Sequence, residues 1–197
     1  MNKAEAGRFS LMILLLLPSL AATARASEKP VVSIAREDAH FKINASIDLP
    51  LTPCIAYRLL TDYESLPSYI PGMLQIRYKR ISANRVNVWH QGEVQVLFFR
   101  VKVESSLEME EIPERGIIFR QTEGDLESYR GEWNLMTAPA GTRVSYNALL
   151  SLKSDQYMPE FIVKSVLENE VRKRFDAIAK EASARKNKVL PECGPRK

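Results

Sequence analysis

The chain has 197 residues, of which 45% are hydrophobic and 26% charged, the balance of one soluble globular domain. Eight Gly and eleven Pro exclude a low-complexity linker protein, and the collagen, coiled-coil and disordered classes fall with it. A pI near 9.1 invites nucleic acid, yet residues 27–171 hold 16 Lys or Arg against 20 Asp or Glu. That body lacks the basic face that phosphate contacts require, so nucleic acid is excluded as a partner.

The long uncharged apolar run lies at the start, from Ser10 to Thr23. Lys3 and Arg8 precede it, Leu11 to Leu20 form its core, and Ala24-Arg25-Ala26 gives a small-x-small site. This pattern predicts a signal peptide over residues 1–26, with export to the periplasm and a mature chain from Ser27. An uncleaved anchor is the other reading, but the core falls short of the roughly 20 residues that span a bilayer. Two cysteines remain, Cys54 and Cys193. An even count in an exported chain permits a disulfide, and two free thiols are the alternative.

Residues 27–40 are polar and mixed, an irregular or strand-like lead-in. Phe41, Ile43, Ala45, Ile47 and Leu49 then alternate with polar residues, which predicts a strand with one wet face. Thr52 as N-cap and Pro53 in the first turn predict a short helix to Thr61. A second helical turn lies in Asp62 to Gly72 and is stopped by Pro71-Gly72. Six further strands are predicted at about 73–82, 85–98, 100–111, 116–123, 127–137 and 142–153, divided by short turns. Such a succession implies an antiparallel meander with one buried face.

Pro159 opens some 25 residues without Pro or Gly, where Val163, Leu167, Val171, Phe175, Ile178 and Ala182 form a stripe at helical spacing. This helix is the cover the sheet needs. Its first half is apolar over a wider arc, through Phe161, Ile162 and Val166, which suits either plain core packing or the wall of a cavity. Residues 172–197 carry nine Lys or Arg against Asp176, Glu181 and Glu192. That basic end is read as a solvated helix terminus followed by a flexible tail over 186–197, or as a patch for anionic lipid headgroups.

The order of these elements is that of an α+β helix-grip fold, a seven-stranded antiparallel sheet wrapped around a long C-terminal helix with two short helices after the first strand. The segment Ile55-Ala56-Tyr57-Arg58-Leu59-Leu60-Thr61-Asp62-Tyr63-Glu64-Ser65-Leu66-Pro67-Ser68-Tyr69-Ile70-Pro71-Gly72 resembles the helix-loop signature of the polyketide cyclase/dehydrase and START-like (SRPBCC) superfamily, near its coenzyme Q-binding group. Glu123-Gly124-Asp125-Leu126-Glu127-Ser128-Tyr129-Arg130-Gly131-Glu132-Trp133 is similar to the hairpin of that group. The resemblance covers about residues 40–182 and implies one domain over 30–185. The signal peptide departs from the mitochondrial and cytoplasmic members that name the group.

Chemistry-bearing motifs are sparse. His40 and His90 lie fifty residues apart, with no His-Glu-x-x-His or Cys-x-x-Cys spacing, so neither a metal nor a cofactor is expected. Gly-x-Ser-x-Gly and a phosphate-cradling Gly loop are absent. Counting by twos from Val86 and Val88 puts His90 on the apolar sheet face, as a polar anchor or acid–base group for a ligand, or as a core histidine. The candidate cavity residues are His90, Val88, Phe98, Trp133, Tyr146, Phe161, Ile162 and Val166.

Three functions fit these features. The first is a monomeric periplasmic carrier of a hydrophobic small molecule, such as a lipid, an isoprenoid quinone or a polyketide-like compound, with peripheral contact to an anionic membrane surface. The second is a cyclase or dehydratase of the polyketide type using the same cavity, and the third is a module that binds a protein partner. Acid, base and nucleophile pairs are scarce in the sequence, which favours the carrier.

Overall fold

The computed structural model describes residues 29–153 and 158–186. Eight antiparallel strands form one sheet: β1 (Val31–Glu37), β2 (His40–Leu49), β3 (Met73–Arg80), β4 (Arg85–Val96), β5 (Phe99–Ile112), β6 (Gly116–Gly124), β7 (Leu126–Ala138) and β8 (Gly141–Leu152). The strand order is β1-β2-β8-β7-β6-β5-β4-β3. Two short helices, α1 (Pro53–Thr61) and α2 (Leu66–Tyr69), follow β2, and the long α3 (Glu160–Lys186) ends the described chain. This is the helix-grip α+β fold, with eight strands in place of seven. The extra strand is the lead-in. Val31 to Glu37 lack a clean apolar alternation, yet they satisfy their backbone groups along β2, from Val31 opposite Ser46 to Glu37 opposite His40.

Local chemistry sets the element ends. The Thr52 hydroxyl accepts the amide of Ile55 at 3.4 Å and Pro53 occupies the first turn, which starts α1. At the other end of the helical pair Gly72 has φ +75°, and its carbonyl accepts the amide of Glu93 at 2.7 Å. Gly131 serves a close approach. A Cβ there would stand 2.3 Å from the Asn147 carbonyl oxygen, so β7 and β8 pair tightly only because the side chain is missing.

The core lies between the concave sheet face and α3, which packs against β1, β2 and β4. From the sheet it takes Ile43, Ile47, Phe119, Leu135, Val144 and Ala148, from α1 Ala56 and Leu59, and from α3 Val171, Phe175, Ile178 and Ala182. Phe119, Tyr129, Trp133, Tyr146 and Phe175 form one aromatic cluster, with Trp133 stacked on Phe175 at 5.5 Å between ring centroids. A separate polar knot ties the helical pair to the sheet. The buried Glu111 carboxylate accepts Tyr63 Oη–H at 2.8 Å, Tyr57 Oη–H at 3.2 Å and the Arg80 guanidinium at 3.0 Å.

The expected signal peptide 1–26 and nearly all of the tail 186–197 lie outside the described residues, as does Cys193. No described helix is long and apolar enough to cross a membrane.

Candidate ligand cavity

Sheet and helix do not close completely on one another. Between them is a cavity of about 490 Å³, within the roughly 300–1,000 Å³ typical of small-molecule sites. One wall is the β4–β5 hairpin stem, with Val94, Val96, Val101 and Val103. A second is β7–β8, with Leu126, Leu150 and Leu152, and the third is the α3 face carrying Val163, Val166, Leu167 and Val171. The walls are aliphatic because alternate residues of each strand and every third or fourth residue of α3 point inward.

The polar groups are few. His90 and Ser105 are cross-strand partners on β4 and β5, Tyr129 and Tyr146 come from β7 and β8, Glu170 and Arg174 come from successive turns of α3, and the exposed Lys102 and Asp125 stand at the rim. The tyrosine hydroxyls hydrogen-bond to each other at 2.5 Å. Burial pushes both phenols up from their ordinary pKa, which keeps the hydroxyls protonated. Burial first, and the Arg174 charge second, lower the His90 pKa to about 4. Its imidazole is therefore neutral at pH 7. Ser105 Oγ–H donates to Gln121 Oε1 at 2.8 Å, and Glu170 accepts Lys173 Nζ at 3.0 Å.

Of the eight candidate residues, the structure brings His90, Tyr146 and Val166 onto the cavity wall. The other five are corrected. Phe98 is 93% exposed, because Leu97-Phe98 is the two-residue turn joining β4 to β5 and the alternation of the strand stops there. Phe161 is 72% exposed; it precedes buried Val163 by two residues, about 200° around a helix. Ile162, half-buried, lies one turn before Val166 and off the wall. Val88 is buried with Tyr63 and Val86 in a side cluster, one pleat short of the cavity. Trp133 belongs to the core beneath it, against Tyr146 and Phe175.

Sequence reasoning missed Arg174, Glu170, Tyr129 and Ser105. Arg174 had a visible signal, since it stands three residues after Val171 and four before Ile178, on the apolar stripe itself. Counted only as one more cation of a basic helix end, it looked solvated. Among the described residues no three His, Cys, Asp or Glu side chains converge as metal ligands.

Chemically, the site can enclose an apolar molecule and present donors to one end of it. His90, its pKa lowered to about 4, and the two phenols, raised above their ordinary range, lie far from neutrality as proton-transfer groups.

Comparison with known proteins agrees with this architecture. No curated protein sequence matches significantly. Solved structures match the fold: Zhui aromatase/cyclase from Streptomyces sp. R1128 superposes with a TM-score of 0.65 at 15% identity, over 74% of this chain and 95% of that one. TTHA0849 from Thermus thermophilus gives 0.62 at 22% identity, over 73% and 97%. The STAR-related lipid transfer protein from Xanthomonas axonopodis gives 0.57 at 9% identity, over 77% and 98%. Residues 49–179 match the family model described as polyketide cyclase / dehydrase and lipid transport, so the chain belongs to that family.

Proposed function

We propose that this protein is an exported, periplasmic and monomeric carrier that holds a hydrophobic small molecule of the lipid, isoprenoid quinone or polyketide-like class between its sheet and α3. The observation that carries the reading is the aliphatic cavity of about 490 Å³, whose His90, Tyr129 and Tyr146 are all held away from proton exchange at neutral pH. A cyclase or dehydratase would need at least one group with a pKa near the operating pH, and these three do not supply it. Export is supported by the basic start, apolar core and Ala24-Arg25-Ala26 of the N-terminal sequence. The exposed Lys180 and Lys186 near the end of α3, with the basic residues that follow in the sequence, support peripheral contact with an anionic bilayer surface during exchange of cargo, at about 1 kcal/mol per cation near that surface.

The test is native mass spectrometry, followed by solvent extraction, of protein purified from its own periplasm. A stoichiometric apolar compound and an N-terminus at Ser27 are the expected results. Conversion of an added poly-β-keto compound would move the assignment to the enzyme, and an empty cavity with a co-purifying protein would move it to an interaction module.

A further inference from the structure

Arg174 is the charged group of the cavity wall that the fold leaves unanswered. Its Nε is buried without a hydrogen-bond partner, the one such side-chain nitrogen or oxygen among the described residues, and its guanidinium makes no ion pair with any of them. Glu170, one turn earlier on the same helix, is engaged by Lys173 at 3.0 Å. Asp125 accepts the backbone amide of Glu104 at 2.7 Å, and Lys102 is exposed. His90 is neutral, and so are the phenols of Tyr129 and Tyr146. The polar end of the cavity thus carries a guanidinium with a buried, unpartnered Nε beside neutral groups able to donate hydrogen bonds. A buried donor left without an acceptor is costly, and an acceptor from outside the chain relieves that cost.

We propose that the ligand is an apolar monocarboxylate whose carboxylate pairs with Arg174 while its hydrocarbon body lies along Val94, Val101, Leu150 and Val163. One guanidinium neutralises one negative charge, and its planar fork matches a carboxylate. A dianionic phosphate monoester would leave a net negative charge buried in an aliphatic site. The proposal rests on the carrier reading of the same cavity and adds the charge and position of the head group.

The experiment is isothermal titration of the purified protein with dodecanoate, dodecanol and methyl dodecanoate, using the wild type and Arg174→Met. The wild type is expected to bind dodecanoate at least about tenfold more tightly than the ester, the effect of one charge-assisted hydrogen bond. Arg174→Met is expected to bring the two ligands within about twofold of each other, and to melt no lower than the wild type without ligand. Equal affinity of the wild type for acid and ester overturns the head-group proposal and leaves the carrier reading intact; this comparison needs no variant. Failure of dodecanoate to bind overturns the head-group proposal, and failure of all three compounds together with an empty cavity in native mass spectrometry overturns both. A lower melting temperature of ligand-free Arg174→Met shows that the fold itself satisfies the guanidinium, and also overturns the proposal.

Discussion

Tyr129 and Tyr146, on neighbouring strands, bring their hydroxyls to 2.5 Å of each other at the wall of the cavity. Each holds the other's polar atom in a site lined mainly by aliphatic side chains. Replacing either by Phe leaves one hydroxyl without its partner and is expected to cost about 1–3 kcal/mol, whereas the double replacement removes both and should cost less than the sum. Urea unfolding of the four proteins gives the coupling. Strictly additive losses would show that cavity water serves each hydroxyl equally well.

His90 links the cavity to pH. Its folded pKa of about 4 lies below the value near 6.5 of an unfolded chain, so between these limits the folded state binds fewer protons. Stability that is present above pH 6.5 is therefore lost as the pH falls towards 4, by on the order of 2 kcal/mol for this half-buried side chain. Carboxylates titrate in the same range, so the measurement is the difference between wild type and His90→Gln, which should show the shallower loss. An imidazole proton resonance titrating with a midpoint near 6.5 would refute the assignment.

The Glu111 knot makes a separate prediction for the helical pair. Glu111→Ala removes the acceptor shared by the Arg80 guanidinium and the Tyr57 and Tyr63 hydroxyls, and is expected to cost about 3 kcal/mol or more. Glu111→Gln keeps an acceptor oxygen and should cost less. Denaturant titration decides this, and a loss under about 1 kcal/mol in the alanine variant would show the knot to be incidental.

Cys54 sits at the start of α1, and its expected partner Cys193 lies outside the described residues. If the two pair, non-reducing peptide mapping of the purified protein will recover one linked fragment. Reduction will then lower stability by as much as about 5 kcal/mol on a chain-entropy account of so long a loop. Two thiols that alkylate without reductant would rule the bridge out.

How much of this was legible in the sequence depends on which force placed each residue. Phe41 to Leu49 and the stripe from Val163 to Ala182 were plain, because burial of one face dictates their periodicity. The Thr52-Pro53 helix start was plain because capping is local. The strand Val31–Glu37 was legible only as one of two readings of the lead-in, irregular or strand-like, since its pairing with β2 is a backbone matter that side chains scarcely record. Phe98 misled because it continues the alternation of Val94 and Val96 into a turn where alternation has no meaning. Arg174 and Glu111 were overlooked for one reason: a charged residue suggests solvent, and only tertiary structure shows the side chains that enclose it.

The place of β2 in the sheet bears on how the chain folds. Its partners are β1, just before it, and β8, about a hundred residues later, with Phe41 opposite Leu150 and Leu49 opposite Thr142. Only a hairpin with β1 is open to it until β8 has been made, and a lone hairpin is marginal in water. The meander from β3 to β8 can form by local turns, but joining it to the first two strands requires closing one long loop, the kind of step that slows folding. The concave face therefore comes into being late, when β2 and β8 meet.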